Sequence, residues 1–186
     1  MLLSLPGLLF GFAATPAAAP TTYAETVAEC VALFTPLVSV AQAQHLVADT
    51  PLGVEPNVNG NSDQCGVEFR PKDWAPDQPG SAKPLLQFSV SHGARPLTNY
   101  DQTAALAARM AKDSFRRLEA PGDGVDKGYA YTAFGSHWKV LKAGDNIVTL
   151  QVVDRYPAQT LDKLGGDVLK ALSAPALREW RERRPQ

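Results

Sequence analysis

"GYAYTAFGSHWKVLKAGDNIVTLQVVD", residues 128–154, decides the fold, because it reads as three strands joined by two glycine turns. Trp138 and Val140 share one face of the middle run, and Val148, Leu150 and Val152 share one face of the last. Gly135-Ser136 and Gly144-Asp145 fall between the runs, where glycine takes positive φ without strain. This pattern predicts an antiparallel meander. It also removes a tempting dyad: Ser136 and His137 are neighbours on a hairpin, so their side chains point to opposite faces.

Upstream of the meander, a second pair of strands is written in the same period. In "CGVEF", residues 65–69, Cys65, Val67 and Phe69 face one way and Gly66 and Glu68 the other. In "LLQFSVSH", residues 85–92, Leu86, Phe88 and Val90 face in. Antiparallel pairing of these two strands is expected. The proline-rich "RPKDWAPDQPGSAKP", residues 70–84, and the polar "VEPNVNGNSD", residues 54–63, read as loops.

Helical spacing runs from Thr22 to Phe34 and restarts after Thr35, a candidate N-cap followed by Pro36 in the first helical position. "TNYDQTAALAARMAKDSFRRLE", residues 98–119, is the clearest helix. Thr98 and Asp101 form a variant capping box, and Tyr100, Ala104, Ala107, Ala111, Phe115 and Leu118 lie on one face. A last helix over residues 158–173 carries the stripe Leu161, Leu164, Val168 and Leu172, weakened by Gly165 and Gly166. The sum is an α+β fold: an antiparallel sheet of about five strands, a two-strand group plus a three-strand meander, with helices mainly on one face.

The 186 residues suit one domain, with 45% hydrophobic and 20% charged side chains. A net charge of −1 gives nucleic acid no basic surface to seek. The uncharged start, "MLLSLPGLLFGFAATPAAA", residues 1–19, reads as a secretory signal that is too short and too interrupted to span a bilayer. The expected organisation is a signal at 1–19, one α+β domain at 20–174 and a charged tail at 175–186, with no integral membrane segment in the mature chain. Export to an oxidising compartment lets Cys30 and Cys65 pair, since one lies on an apolar helical stripe and the other opens an inward strand face. Two buried free thiols are the alternative. A bridge would stabilise the fold by about 3.5 to 4 kcal/mol through loop entropy.

No catalytic motif accompanies this frame. His45, His92 and His137 sit on three separate elements without metal-binding spacing, so no metal or other cofactor is expected. "PGDGVDKG", residues 121–128, lacks the strand-before, helix-after context of a phosphate loop. Candidates for recognition are Trp74, either a rigid aromatic anchor or a ring folded over a sheet edge, and Tyr129, Tyr131, Trp138 and Tyr156, which line a groove or belong to the core. Leu177 and Trp180 stand in the charged tail.

Cys30, the "L-x-T-P" of Leu33, Thr35 and Pro36, Cys65, then "GVDKGYAY", residues 124–131, and "LKAGDNIVTLQV", residues 141–152, together resemble the small exported proteins and lipoproteins of unknown function in actinobacteria. Their layout is similar to a Mog1/PsbP-like α+β sandwich, and the likeness spans most of residues 28–173. The lipobox cysteine of such lipoproteins is absent from the candidate cleavage region, which argues against a lipid anchor. The resemblance implies a fold and a compartment and transfers no catalytic residue. The expected function is therefore that of an exported, non-enzymatic binding protein of the bacterial cell envelope. Its partner would be a protein or a small apolar ligand; the alternatives are a carrier of such a ligand, or a hydrolase of unfamiliar motif.

Overall fold

A computed structural model describes residues 23–58, 64–75, 83–122, 124–172 and 175. The expected signal at 1–19 and nearly all of the tail, with Leu177 and Trp180, lie outside them. The chain forms α1 (Tyr23–Phe34), a 3₁₀ turn (Thr35–Val38), α2 (Val40–Leu46), β1 (Leu52–Pro56), β2 (Gln64–Pro71), β3 (Leu86–His92), α3 (Ala94–Met110), β4 (Arg116–Gly122), β5 (Val125–Ala133), β6 (Ser136–Ala143), β7 (Asn146–Val153) and α4 (Thr160–Leu172).

The seven strands make one open antiparallel sheet in the order β1-β2-β3-β7-β6-β5-β4. This is larger than the five strands expected. The meander and the β2/β3 pair form as read, and β3 joins them by pairing with β7, Phe88 opposite Leu150. The two extra strands lie at the edges. β1 occupies part of the segment read as loop, with Val54 opposite Phe69 and Pro56 opposite Val67. An edge strand tolerates Pro56, whose missing N–H leaves no inner ladder bond unmade.

β4 arises where the long helix was expected to continue. α3 begins earlier, at Ala94, and ends at Met110, so Phe115 and Leu118 belong to the strand side of the boundary. Their spacing from Ala111 and from each other fits one helix face, but pairing with β5 overrides it: Leu118 stands opposite Gly128 and joins the core on one face, while Phe115 packs with Tyr129 on the other. The capping box does not form. Gly93, at φ 104°, precedes the helix, and the Thr98 hydroxyl donates to the Ala94 carbonyl one turn back. Thr35 likewise caps nothing; Ser39 is the N-cap of α2, accepting from the Gln42 amide. The β5–β6 turn is Phe134-Gly135, both at positive φ, and Ser136 lies within β6 rather than in the turn.

Strand alternation sorts the core into two faces. One holds Cys65, Val67, Phe69, Phe88, Val148, Leu150 and Leu141, and it is covered by α1, α2 and α4 through Cys30, Phe34, Ala43, Leu161, Leu164 and Val168. Gly165 lets α4 close on this face: a Cβ there would stand 3.2 Å from Leu150 Cδ1. The opposite face receives α3, whose Tyr100, Ala104 and Ala107 pack on Tyr129, Val140 and Ile147. Cys30 and Cys65 are bonded, with Cα atoms 5.5 Å apart and both residues fully buried, so α1 is tied to β2.

Candidate functional groove

At the end of the sheet where β4 begins, the frame leaves an open groove of about 390 Å³. Its floor is Ala130 and Thr132 of β5 with His137 and Lys139 of β6, paired across the strands as Ala130 with Lys139 and Thr132 with His137. One wall is Asp113 to Arg116; the other is Ala158, Leu161 and Asp162 at the start of α4. Floor residues share the strand face that carries α4, because Leu141 and Gly128 alternate with them in step.

Each polar group here has a local reason for its position. The groove exists because β4 starts only at Arg116, opposite Ala130, which leaves the next residues of β5 without a strand neighbour. Ser114 fills in: its hydroxyl accepts from the Thr132 amide at 2.9 Å and donates to the Thr132 carbonyl at 3.0 Å. The Thr132 hydroxyl meets His137 Nδ1 at 2.8 Å, which leaves the Nε2 side of the ring for another partner. Lys139 Nζ donates to Asp162 Oδ1 at 2.5 Å, and that carboxylate stands in the first turn of α4, where the helix dipole favours negative charge. Among the described residues Arg116 and Asp113 make no ion pair. The groove thus holds two positive and two negative side chains, of which one pair is already neutralised.

Tyr131 and Trp138 adjoin this groove along the chain but turn their rings to the other face. They stack there with planes 4° apart and centroids 6.0 Å apart, and the row continues through Tyr129, 6.1 Å from Tyr131, to Phe115 at 5.9 Å. Tyr129 is a core residue, packed by Tyr100 and donating its hydroxyl to Thr103. Burial pushes the Tyr131 hydroxyl up to about 12, helped by the neighbouring Tyr129. Tyr100 rises to about 12 for the same reason, with Tyr129 and Asp101 adding to it.

The other two aromatic candidates stand apart. Trp74 is half-buried with the Arg70 guanidinium 4.3 Å above its ring. Tyr156 donates to Asp49, a bond that holds the Asp49 carboxyl below its usual range and links the turn after α2 to the segment before α4. Sequence reading therefore grouped five aromatics, of which the fold brings together Tyr129, Tyr131 and Trp138. It missed Arg116, Lys139, Asp162 and Asp113. Arg116 falls in a stretch whose spacing suits a helix, and nothing in the chain announces that residues so far apart in sequence meet.

His92 bonds Asn146 at 3.1 Å, while His45 is exposed in the last turn of α2. Among the described residues no three His, Cys, Asp or Glu side chains converge as a metal site, and no helix is long and apolar enough to cross a membrane. Comparison with family models, with characterised proteins and with solved structures finds no match for the chain.

Proposed function

We propose that this is an exported binding protein of the bacterial cell envelope and that it engages its partner through the groove between β5, β6 and the start of α4. The groove itself carries the reading: it is open, it mixes polar and apolar lining, and it presents Arg116 and Asp113 with no ion-pair partner among the described residues. A partner segment bearing both an acidic and a basic group would satisfy that wall, and the methylenes of such a segment would cover Ala130, Ala158 and Leu161. The closed disulfide is compatible with an oxidising address, as is the uncharged leading segment. An apolar ligand suits the groove less well, since burying it there would strip water from four charged groups.

Capture from envelope extract tests this reading, using wild-type protein beside an Arg116→Ala/Lys139→Ala double variant and a Trp74→Ala control. A partner retained by wild type and control but lost from the double variant supports it; equal recovery by all three removes it. Thiol alkylation of the protein in cell fractions tests the address. An exported, unalkylated chain is expected.

A hydrolase reading draws on the contact between Thr132 and His137, a hydroxyl beside a base. It is the weaker reading, because the Thr132 amide that could steady a developing oxyanion is already spent on Ser114. Labelling of Thr132 by a phosphonate probe would raise it above binding.

A further inference from the structure

The sheet is open at β4, and the outer edge of that strand carries a charge pattern complementary to itself. Thr132 directs its N–H and C=O to the β4 side, where Ser114 takes both. By alternation Ala130 and Gly128 do the same toward Arg116 and Leu118, their register partners. The N–H and C=O of Arg117 and Glu119 therefore face away from β5. Both side chains are exposed.

We propose that two copies of the chain join edge to edge through β4, antiparallel and centred on Leu118. In that register Arg117 of each copy stands opposite Glu119 of the other. Each such pair is of the kind that exchanges two N–H···O bonds, so hydrogen bonding and charge are satisfied at the same positions. Leu118 meets the Leu118 of the second copy on the α4 face, extending the row it already forms with Gly128 and Leu141. The two-fold axis is normal to the sheet, so both grooves open on the same side, each beside the seam through its Arg116. Edge charges also disfavour indiscriminate partner strands, whereas a second copy of Arg117-Leu118-Glu119 answers them. This junction does not depend on what the groove binds.

Sedimentation of the full chain with its disulfide closed, over a dilution series and with amide hydrogen exchange in parallel, tests the junction. Reversible dimerisation is expected, with exchange at the Arg117 and Glu119 amides slowed in the dimer. Arg117→Glu and Glu119→Arg each set like charges opposite one another and should weaken association by about tenfold or more. Mixed in equal amounts, the two variants should recover it, because each supplies the sign the other lacks; circular dichroism checks that both remain folded. A wild type that stays monomeric through the series overturns the proposal. So does a dimer indifferent to both charge reversals.

Discussion

The Ser114 hydroxyl occupies the place of a strand residue for Thr132, lying within 3.0 Å of both its amide nitrogen and its carbonyl oxygen. One side chain thereby closes the last open ladder position of β5 and forms a corner of the groove. Ser114→Ala should free the Thr132 amide to exchange at least tenfold faster and lower stability by about 0.5 to 1.5 kcal/mol, the worth of a hydrogen bond that water can replace. Amide exchange and urea unfolding report both effects. An unchanged rate at Thr132 would contradict this account.

The bridge between Cys30 and Cys65 spans a sequence separation of 35 and ties α1 to the sheet. A Cys30→Ser/Cys65→Ser variant should lose about 3.5 to 4 kcal/mol in denaturant unfolding, chiefly through the freer unfolded chain. Reduction of the wild type should produce a loss of similar size. A loss below about 1 kcal/mol would show that α1 docks without the bridge.

Phe134 stands at φ 55° in the β5–β6 turn with two thirds of its surface, 66%, in water. A two-residue turn of this hand is best served by Asn-Gly, and a bulky side chain in it is strained by about 1 kcal/mol or more. Phe134→Asn should therefore raise the midpoint of thermal unfolding. Were it to lower the midpoint, the ring would be contributing packing that its exposure does not suggest.

Tyr100 and Tyr131 should ionise late, near pH 12. Their folded values lie above the ordinary 10.0, so the neutral form is the one the fold favours. Their contribution is whole below pH 10.0 and is lost as the pH climbs from there toward 12. Absorbance titration of the phenolates follows the ionisation, and unfolding across the same interval follows the stability. Tyr131→Phe should remove one late-titrating group and flatten the alkaline decline; a decline left unchanged would place its cause elsewhere.

Much of this architecture was legible because side-chain alternation is local. Val148, Leu150 and Val152 could be assigned to one face without knowledge of what covers it, and Cys65 could be seen to point with Val67 and Phe69. Phe115 and Leu118 resisted such reading, since their spacing from Ala111 and from each other suits one helix face, whereas in the extended chain residues three apart turn to opposite faces, Phe115 toward Tyr129 and Leu118 toward Leu141. Val54 and Pro56 resisted it because an edge strand looks like a loop until a neighbour pairs with it.

By itself the chain of residues determined the strand period, the Gly144-Asp145 turn of the meander, the amphipathic face of α4 and the inward aim of both sulfur atoms. Only the tertiary structure decided where α3 stops, that α3 packs on the face opposite α1, α2 and α4, and that Asp113, Arg116, His137, Lys139 and Asp162 border one groove. The physical reason is range. Alternation and turn preference act between near neighbours, whereas the groove is made by β4 pairing late on β5 and by α4 returning across the far end of the sheet.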